Sequence, residues 1–532
     1  MAIHKKYPFF FFLIVLIQIV GIDLLSQEIP QPVANTGVYE FLDELANNRI
    51  ISLNSVIKPY SRLFIAKRLE EAEEKKEQLT YRQQKELEFY LLDFGKEIHE
   101  GRDWKRRRDF FYYKDSLFTL TVNPILGGEL FANSTGRATY VRNGAEMYGY
   151  IGHWGFFASL RDNHEKPLLG LPEYLTDRTD GHIKDNTDWS EMQGGVTYSW
   201  KWGDIGLVKD NLQWGNNYHG ANIFSGNTPT FIQLRLHINP VKWFEFNYFH
   251  GWLNSMVVDS SRSYWVTNAY GTDYREVYHK KFIAANMFTV TPLKNLNISA
   301  GNSIIYTDIG FNPNYLMPLF FYKSVDHSVN SGIDNMNSQM FFDISSRQIN
   351  HLHLYATLFV DELSVKRLFN DEWNFFSWKG GFRLSDFPVP DIFFTAEFSY
   401  TYPFTYQHYM PTLTFESNNY NLGHYLKDNA REWYLNLGYK PLRTLSLNLC
   451  FVDAIRGPDY TELGEPRTGH KPLTSVEWHN TSIGLKGSYQ VINDLYMWFA
   501  FTTSNIRGDE RWSPEYFFGK QNTLDMGVTI GF

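Results

Sequence analysis

The sequence predicts an all-β transmembrane barrel of about 18 antiparallel strands with a small N-terminal periplasmic helical domain. Three observations carry that expectation. A two-residue hydrophobic period runs from about Ser116 to the C-terminus, the strands it marks are long, and short turns alternate with long polar loops. Composition agrees. Phe, Tyr and Trp make up 17% of 532 residues, yet mean hydropathy is only −0.36, too low for a bundle of membrane helices. Formal net charge is −8, with no basic block of the size a nucleic acid requires. Cys450 is the single cysteine, which excludes an intrachain disulfide and a Cys-based metal cluster.

The elements follow in order. Lys5 and Lys6 precede the apolar run Phe9 to Val20, and Leu24-Leu25-Ser26-Gln27 leads into polar Glu28. Residues 1–27 read as a secretory signal peptide, since the run is short for a membrane span of roughly 20 residues. No cysteine lies near the cleavage point, so the mature chain is not expected to be a lipoprotein. After export, membrane residence would have to come from strands.

Residues 28–110 read as a periplasmic helical domain. Val38, Phe41, Leu42 and Leu45 repeat as one apolar helix face. Ser61 is placed to cap a second helix that buries Phe64, Ile65 and Leu69. Thr80 and Gln83 fit a capping box, and Leu87, Tyr90, Leu91 and Phe94 continue the stripe of a third helix. Glu70 to Glu77 is expected to be a solvated helix end. The run Lys105-Arg106-Arg107-Arg108 is expected to be a solvated linker or a contact for anionic lipid heads.

Residues 111–532 read as the barrel. Leu524, Met526, Val528, Ile530 and Phe532 share one strand face, and Thr523, Asp525, Gly527, Thr529 and Gly531 share the other. The same alternation appears at Ile232 to Ile238, Leu352 to Val360 and Leu445 to Phe451. Strands of about 9 to 13 residues exceed the usual 5 or 6 of sandwiches. Short turns near residues 154, 203, 240, 292, 349, 388, 441 and 492 separate nine hairpins, hence 18 strands. Asn123-Pro124 and Gly127-Gly128 interrupt the pattern of the first hairpin. Trp243, Trp433, Tyr439 and Trp498 are candidates for interfacial aromatic girdles, and Phe532 resembles the terminal aromatic that barrel-assembly machinery reads.

Three stretches resemble the capsule-assembly Wzi family of Gram-negative outer-membrane proteins. Lys58-Pro59-Tyr60-Ser61-Arg62-Leu63-Phe64-Ile65-Ala66 is similar to the family's Pro-x-Ser-Arg-x-x-Ile-Ala helix. Gln213-Trp214-Gly215 through Gly220, with Phe224-Ser225-Gly226-Asn227-Thr228-Pro229, resembles its Trp-Gly and Asn-x-Pro loop. His351 to Glu362 is similar to a third stretch. Where the family pattern continues Pro-Gly after Trp-Gly, this chain has Asn216-Asn217. The resemblance implies an 18-stranded barrel over a periplasmic helical bundle, a lumen blocked by loops, and a role in holding capsular polysaccharide at the cell surface.

No nucleophile elbow, zinc-protease helix or phosphate-cradling loop occurs in the sequence. His351 and His353 are expected on the lumen face as polar wall rather than as metal ligands. Asp361 and Glu362 are adjacent on a strand and point to opposite faces, so they cannot flank one glycosidic bond. The chain is therefore not expected to be an enzyme or to need a cofactor. A sugar polymer is recognised by flat aromatic faces together with groups that pair with hydroxyls. Trp214, Asn216, Asn217, Tyr218, His219, Asn222 and Asn227 in one loop, and Tyr306 and Asp308 beside Asn312, Asn314 and Tyr315 in another, supply that mixture. The plainer alternative is that they pack loops and plug the lumen. The expected partners are capsular or other surface polysaccharide, outer-membrane lipid, and the assembly machinery during biogenesis. A passive porin and a structural partner of a surface export or motility machine are the competing readings.

Overall fold

The computed structural model describes residues 28–98, 105–178, 187–329, 335–368, 373–461, 463–464 and 469–531. The leader and Phe532 lie outside the described residues. Among those described, no helix is long and apolar enough to cross a membrane.

Three helices come first: α1 (Thr36–Asn47), α2 (Arg62–Glu73) and α3 (Tyr81–Phe94). Val38, Phe41, Leu42 and Leu45 of α1 are fully buried against Ile65, Leu69, Leu87 and Phe94, so the helical period predicts this core. Ser61 Oγ accepts the Phe64 amide at 3.0 Å. Thr80 and Gln83 cap each other reciprocally, at 3.2 Å and 2.9 Å.

Eighteen antiparallel strands then close into one barrel. They are β1 (Phe118–Asn133), β2 (Gly136–Ile151), β3 (Trp154–Lys166), β4 (Asp188–Trp200), β5 (Gly203–Asp210) and β6 (Phe231–Val241). The middle third is β7 (Phe244–Val258), β8 (Tyr278–Leu293), β9 (Leu296–Thr307), β10 (Met336–Ser346), β11 (Leu352–Glu362) and β12 (Phe375–Ser385). The last third is β13 (Ile392–Thr401), β14 (Ala430–Leu442), β15 (Leu445–Arg456), β16 (Trp478–Ile492), β17 (Leu495–Gly508) and β18 (Gly519–Ile530). All eight predicted turns are present, at one end of the barrel, and the long loops emerge at the other.

The seam shows how the first hairpin tolerates its proline. On its closing edge β1 pairs with β18 from Leu126 to Ala132, and with the short strand Phe111–Lys114 from Thr119 to Val122. Pro124 sits in the gap between these two partners, where a missing backbone donor costs no ladder bond. Pro124 and Gly127-Gly128 therefore do not break β1.

The helical unit covers the turn end. Arg347, in the β10–β11 turn, donates to Asp43 Oδ1 at 2.7 Å, Ser55 Oγ at 2.9 Å and Asn47 Oδ1 at 2.8 Å. Arg82 donates to Asp391 Oδ1 at 2.6 Å in the β12–β13 turn, and Asn54 donates to Glu245 at 2.8 Å. Arg107 corrects the expected solvated linker. Its side chain is buried, at 3.3 Å from Asp93 and 2.9 Å from Asp109, and it also pairs with Asp494 in the β16–β17 turn. The neighbouring Asp109, Asp93 of α3 and Asp494 of the β16–β17 turn converge there and draw the guanidinium in.

Two further placements differ from expectation. Trp498 points inward, its indole lying over Gly527 and donating to Asp525 Oδ1 at 3.2 Å, while Met497 and Phe499 take the outward face. His351 lies in the β10–β11 turn with a φ of +68°, its Nδ1 3.0 Å from Asn48 Oδ1, and so is not a lumen-wall residue. Trp243, Trp433 and Tyr439 are outward and exposed.

Candidate functional site

The β5–β6 loop, residues 211–230, turns into the barrel and runs down its axis. Gly215 (φ +99°) and Gly220 (φ +62°) allow reversals that a side chain would strain. The loop reaches the chain that leaves the helical unit. Trp214 and Gln213 pair as a short ladder with Ile57 and Lys58, and the Gly215 amide donates to the Val56 carbonyl at 2.7 Å. Packed protein thus runs unbroken from the loop end to the turn end.

Most of the predicted site residues build this plug. Trp214 is buried edge-on against Phe224, Phe249 and Phe341. Asn216 donates its amide and its Nδ2 to Asp343, at 2.9 Å and 2.6 Å, and accepts from Ser55 Oγ at 2.6 Å. Asn217 Nδ2 donates to the Gly215 carbonyl at 2.8 Å. The Tyr218 amide donates to Glu397 at 2.7 Å, and its hydroxyl lies 2.8 Å from His353 Nδ1. Asn222 Nδ2 donates to the Ser377 carbonyl at 3.0 Å, and its side-chain oxygen accepts from Thr357. Asn227 is half-buried nearer the mouth. A second inturned loop, residues 402–429, clasps the first. Tyr406 donates to the Asn222 carbonyl at 2.6 Å, and the Ser225 amide to the Leu422 carbonyl at 2.8 Å.

The wall charges that hold the plug are residues the sequence did not single out: Asp343, Lys379, Glu397 and Glu432. Lys379 Nζ donates to the His219 carbonyl at 2.6 Å and to Glu397 at 3.1 Å. Each is a charged residue on the inward parity of an alternating strand, and that parity was the available signal.

Of the predicted plug residues, His219 lies beside a cavity on the wall of β15–β18. Its ring stacks on Tyr434 at 4.3 Å and stands 3.4 Å from Glu432. It borders a partly open cavity of about 300 Å³ between the plug and strands β15–β18 and β1. Phe131, Phe517 and Tyr425 supply aromatic surface there. Asn480, Ser482, Thr502, Ser504, Thr523, Asp177 and Arg178 supply polar groups. A depression of about 710 Å³ at the rim, with Tyr174, Phe518, Glu173 and Arg511 among its walls, shares Ser513 with this cavity. Flat rings beside hydroxyls, amides and carboxylates are what a pyranose needs, with apolar ring faces stacked and hydroxyls bonded.

Tyr306 and Asp308 lie elsewhere. Tyr306 belongs to β9 and points outward, away from the lumen, with its hydroxyl 2.7 Å from His250 Nε2. Asp308 is exposed at the strand end and pairs with His279 at 2.7 Å. The loop chemistry of Asp308 and Asn312 masked the fact that the strand runs on to Thr307. Tyr306 and Asp308 therefore do not join Trp214 and His219 at one site.

No protein-family model and no curated protein sequence matches the chain. Solved structures do. The chain has the fold of Wzi, an outer-membrane protein involved in group 1 capsule assembly in Escherichia coli and described as a carbohydrate-binding β-barrel. The match covers 95% of this chain and all of that one, at a TM-score of 0.60 and 12% identity. OpdK of Pseudomonas aeruginosa, solved with vanillate, aligns over 77% of this chain and 98% of its own at TM-score 0.43 and 7% identity. A BenF-like porin from Pseudomonas fluorescens aligns over 78% and 99% at TM-score 0.43 and 10% identity.

Proposed function

We propose that this chain resides in the outer membrane, is delivered there by its leader and the barrel-assembly machinery, and binds surface polysaccharide in support of capsule attachment. It acts without catalysis or cofactor. The observation that carries this reading is the cavity between plug and wall, lined by Phe131, Tyr425 and Phe517 together with the hydroxyls of Ser482, Thr502, Ser504 and Thr523. The full-chain likeness to a carbohydrate-binding barrel supports it. The outward belt of Leu485, Phe499, Phe501 and Val528 suits hydrocarbon. Sugar contact is assigned to the cavity residues and to His219. The buried members of the predicted set act by holding the plug.

The test is binding of capsular polysaccharide from the source cells to detergent-purified protein, with Phe517→Ala as the variant. We expect a loss of roughly tenfold, since an aromatic stacking partner is worth about 1–1.5 kcal/mol. Unchanged binding, or none by the parent protein, would refute the assignment. Conductance in planar bilayers separates the porin alternative: a plugged barrel passes no steady current.

A further inference from the structure

We propose that residues 309–321 form a strap lying within the outer leaflet of the membrane, pressed on the outward face of β7–β10 and covered by lipid acyl chains. The inference rests on the outer-membrane placement proposed above. From Ile309 to Tyr322 the sequence has no charged residue, and Asp308 and Lys323 bracket the run.

The parity of the wall fixes the side. Phe249, Ile283, Ile305 and Phe341 point into the lumen around Trp214. Their alternates point outward, as the exposed Ile298, Phe342 and Ile344 show. On that outward face Phe246, Tyr248, Phe282 and Ile304 are nevertheless buried, under Tyr315 and Tyr322. The strap continues into a short helix, α4 (Tyr322–Val329), which packs on β9 and β10 from outside.

The hydrogen bonds say which solvent the strap meets. Irregular backbone at membrane depth survives only where its polar groups are paired inside protein. Tyr248 donates to the Tyr315 carbonyl at 2.8 Å. Asn286 Nδ2 donates to the carbonyls of Pro318 and Phe320, at 2.8 Å and 2.9 Å. The Tyr322 amide donates to Asn302 Oδ1 at 2.9 Å, and Asn302 Nδ2 to Asn286 Oδ1 at 2.7 Å. Two asparagines on the outward face of a membrane wall would be costly if bare, and a water-bathed loop would not need them. Asn302 lies five residues below Thr307, so the strap descends about 16 Å along the strand, at ~3.3 Å per residue. Its own outer surface is greasy. Phe311, Met317, Leu319 and Phe321 are exposed, and Phe311 stacks parallel on the outward Trp252, continuing the apolar belt.

The test uses the full chain in liposomes, on a Cys450→Ser background, with an environment-sensitive fluorophore at one of three sites: Leu319→Cys on the strap, Phe499→Cys on the bare wall, or Tyr270→Cys on the exposed hairpin of the β7–β8 loop. Quenching by lipids brominated on the acyl chain is compared with quenching by aqueous iodide. We expect sites 319 and 499 to be quenched severalfold more by lipid than by iodide, and site 270 the reverse. Iodide quenching at 319 with lipid quenching at 499 would overturn the strap alone. Iodide quenching at 499 would overturn the membrane placement itself. Protection of 319 from both quenchers, varying with the protein-to-lipid ratio, would assign the face to a second copy and overturn lipid as its cover.

Discussion

The walls β7–β10 and β15–β18 belong to one barrel but face different surroundings. In the first, protein covers both sides over part of its height: the plug within and residues 309–329 without. Every residue from Lys281 to Met287 is buried, so the middle of β8 has no exposed parity. In the second, alternation is kept. Leu485, Phe499 and Met526 are exposed outward, and Asn480, Ser482, Thr502 and Thr523 line the cavity inward. A two-residue period therefore reports what touches each face of a strand rather than strand structure as such. One wall packs against the plug, and the other leaves a cavity on its inner side.

Truncating an outward phenylalanine on each wall gives the largest contrast. Phe246 is 2% exposed and packs on Phe288 at 4.7 Å, whereas Phe499 is 53% exposed. Phe246→Ala should cost about 3–5 kcal/mol, because the cavity it leaves is enclosed by fixed protein. Phe499→Ala should cost about 1 kcal/mol, since half the side chain was never buried by protein and mobile lipid refills the space. Unfolding in detergent, followed by loss of the compact gel species, measures both. Equal costs would mean that the outward face of β7–β10 is as bare as the other wall.

A smaller effect is expected at the cross-strand pair that shapes the open wall. A Cβ on Gly527 would lie 2.1 Å from the Trp498 ring. Gly527→Ala should cost about 1–3 kcal/mol as overpacking and should displace Asp525, to which the indole donates, weakening the polysaccharide binding proposed above. Gly380 in β12 has open space around it, so Gly380→Ala serves as the control and should leave both stability and binding unchanged.

The strand count was legible because turn chemistry survives whatever the strands contact: Pro240, Pro292, Pro388 and Pro441 mark turns on both kinds of wall. Strand faces were legible only where one side is apolar and the other is not. Around Trp498 both parities carry aromatics, Tyr496 and Trp498 against Met497 and Phe499, and only the glycine across the ladder reveals which ring goes inward. The outward placement of Asn286 and Asn302 was not legible, because nothing in a strand's own sequence says that a loop will fold over its outer face. The plug loop was found by its Trp, Gly and Asn content, but that composition serves a packed plug and a sugar site equally. Its partners Asp343 and Glu397 lie more than a hundred residues away. Arg107 was misjudged for the same reason, since Asp93 and Asp494 meet it only in three dimensions.

That corner offers the mildest way to separate the walls. Burial works to raise the Asp93 carboxyl, but the charges of Arg107, Arg62 and Lys96 outweigh it and hold it well below the usual carboxylate range. A group whose folded value is depressed adds stability above its unfolded value, about 3.9, and that stability is lost as pH falls below it. Because Arg107 also pairs with Asp494 in the β16–β17 turn, acidification from pH 5 to 3 should loosen the foot of the open wall first. Residues 309–321 contain no carboxyl side chain and should not respond. Hydrogen exchange, corrected for intrinsic rates, should therefore show protection falling at 107–109 and 494–495 while it holds at 315–321. If both regions loosen together, the two walls are coupled through the plug more tightly than their separate contacts require.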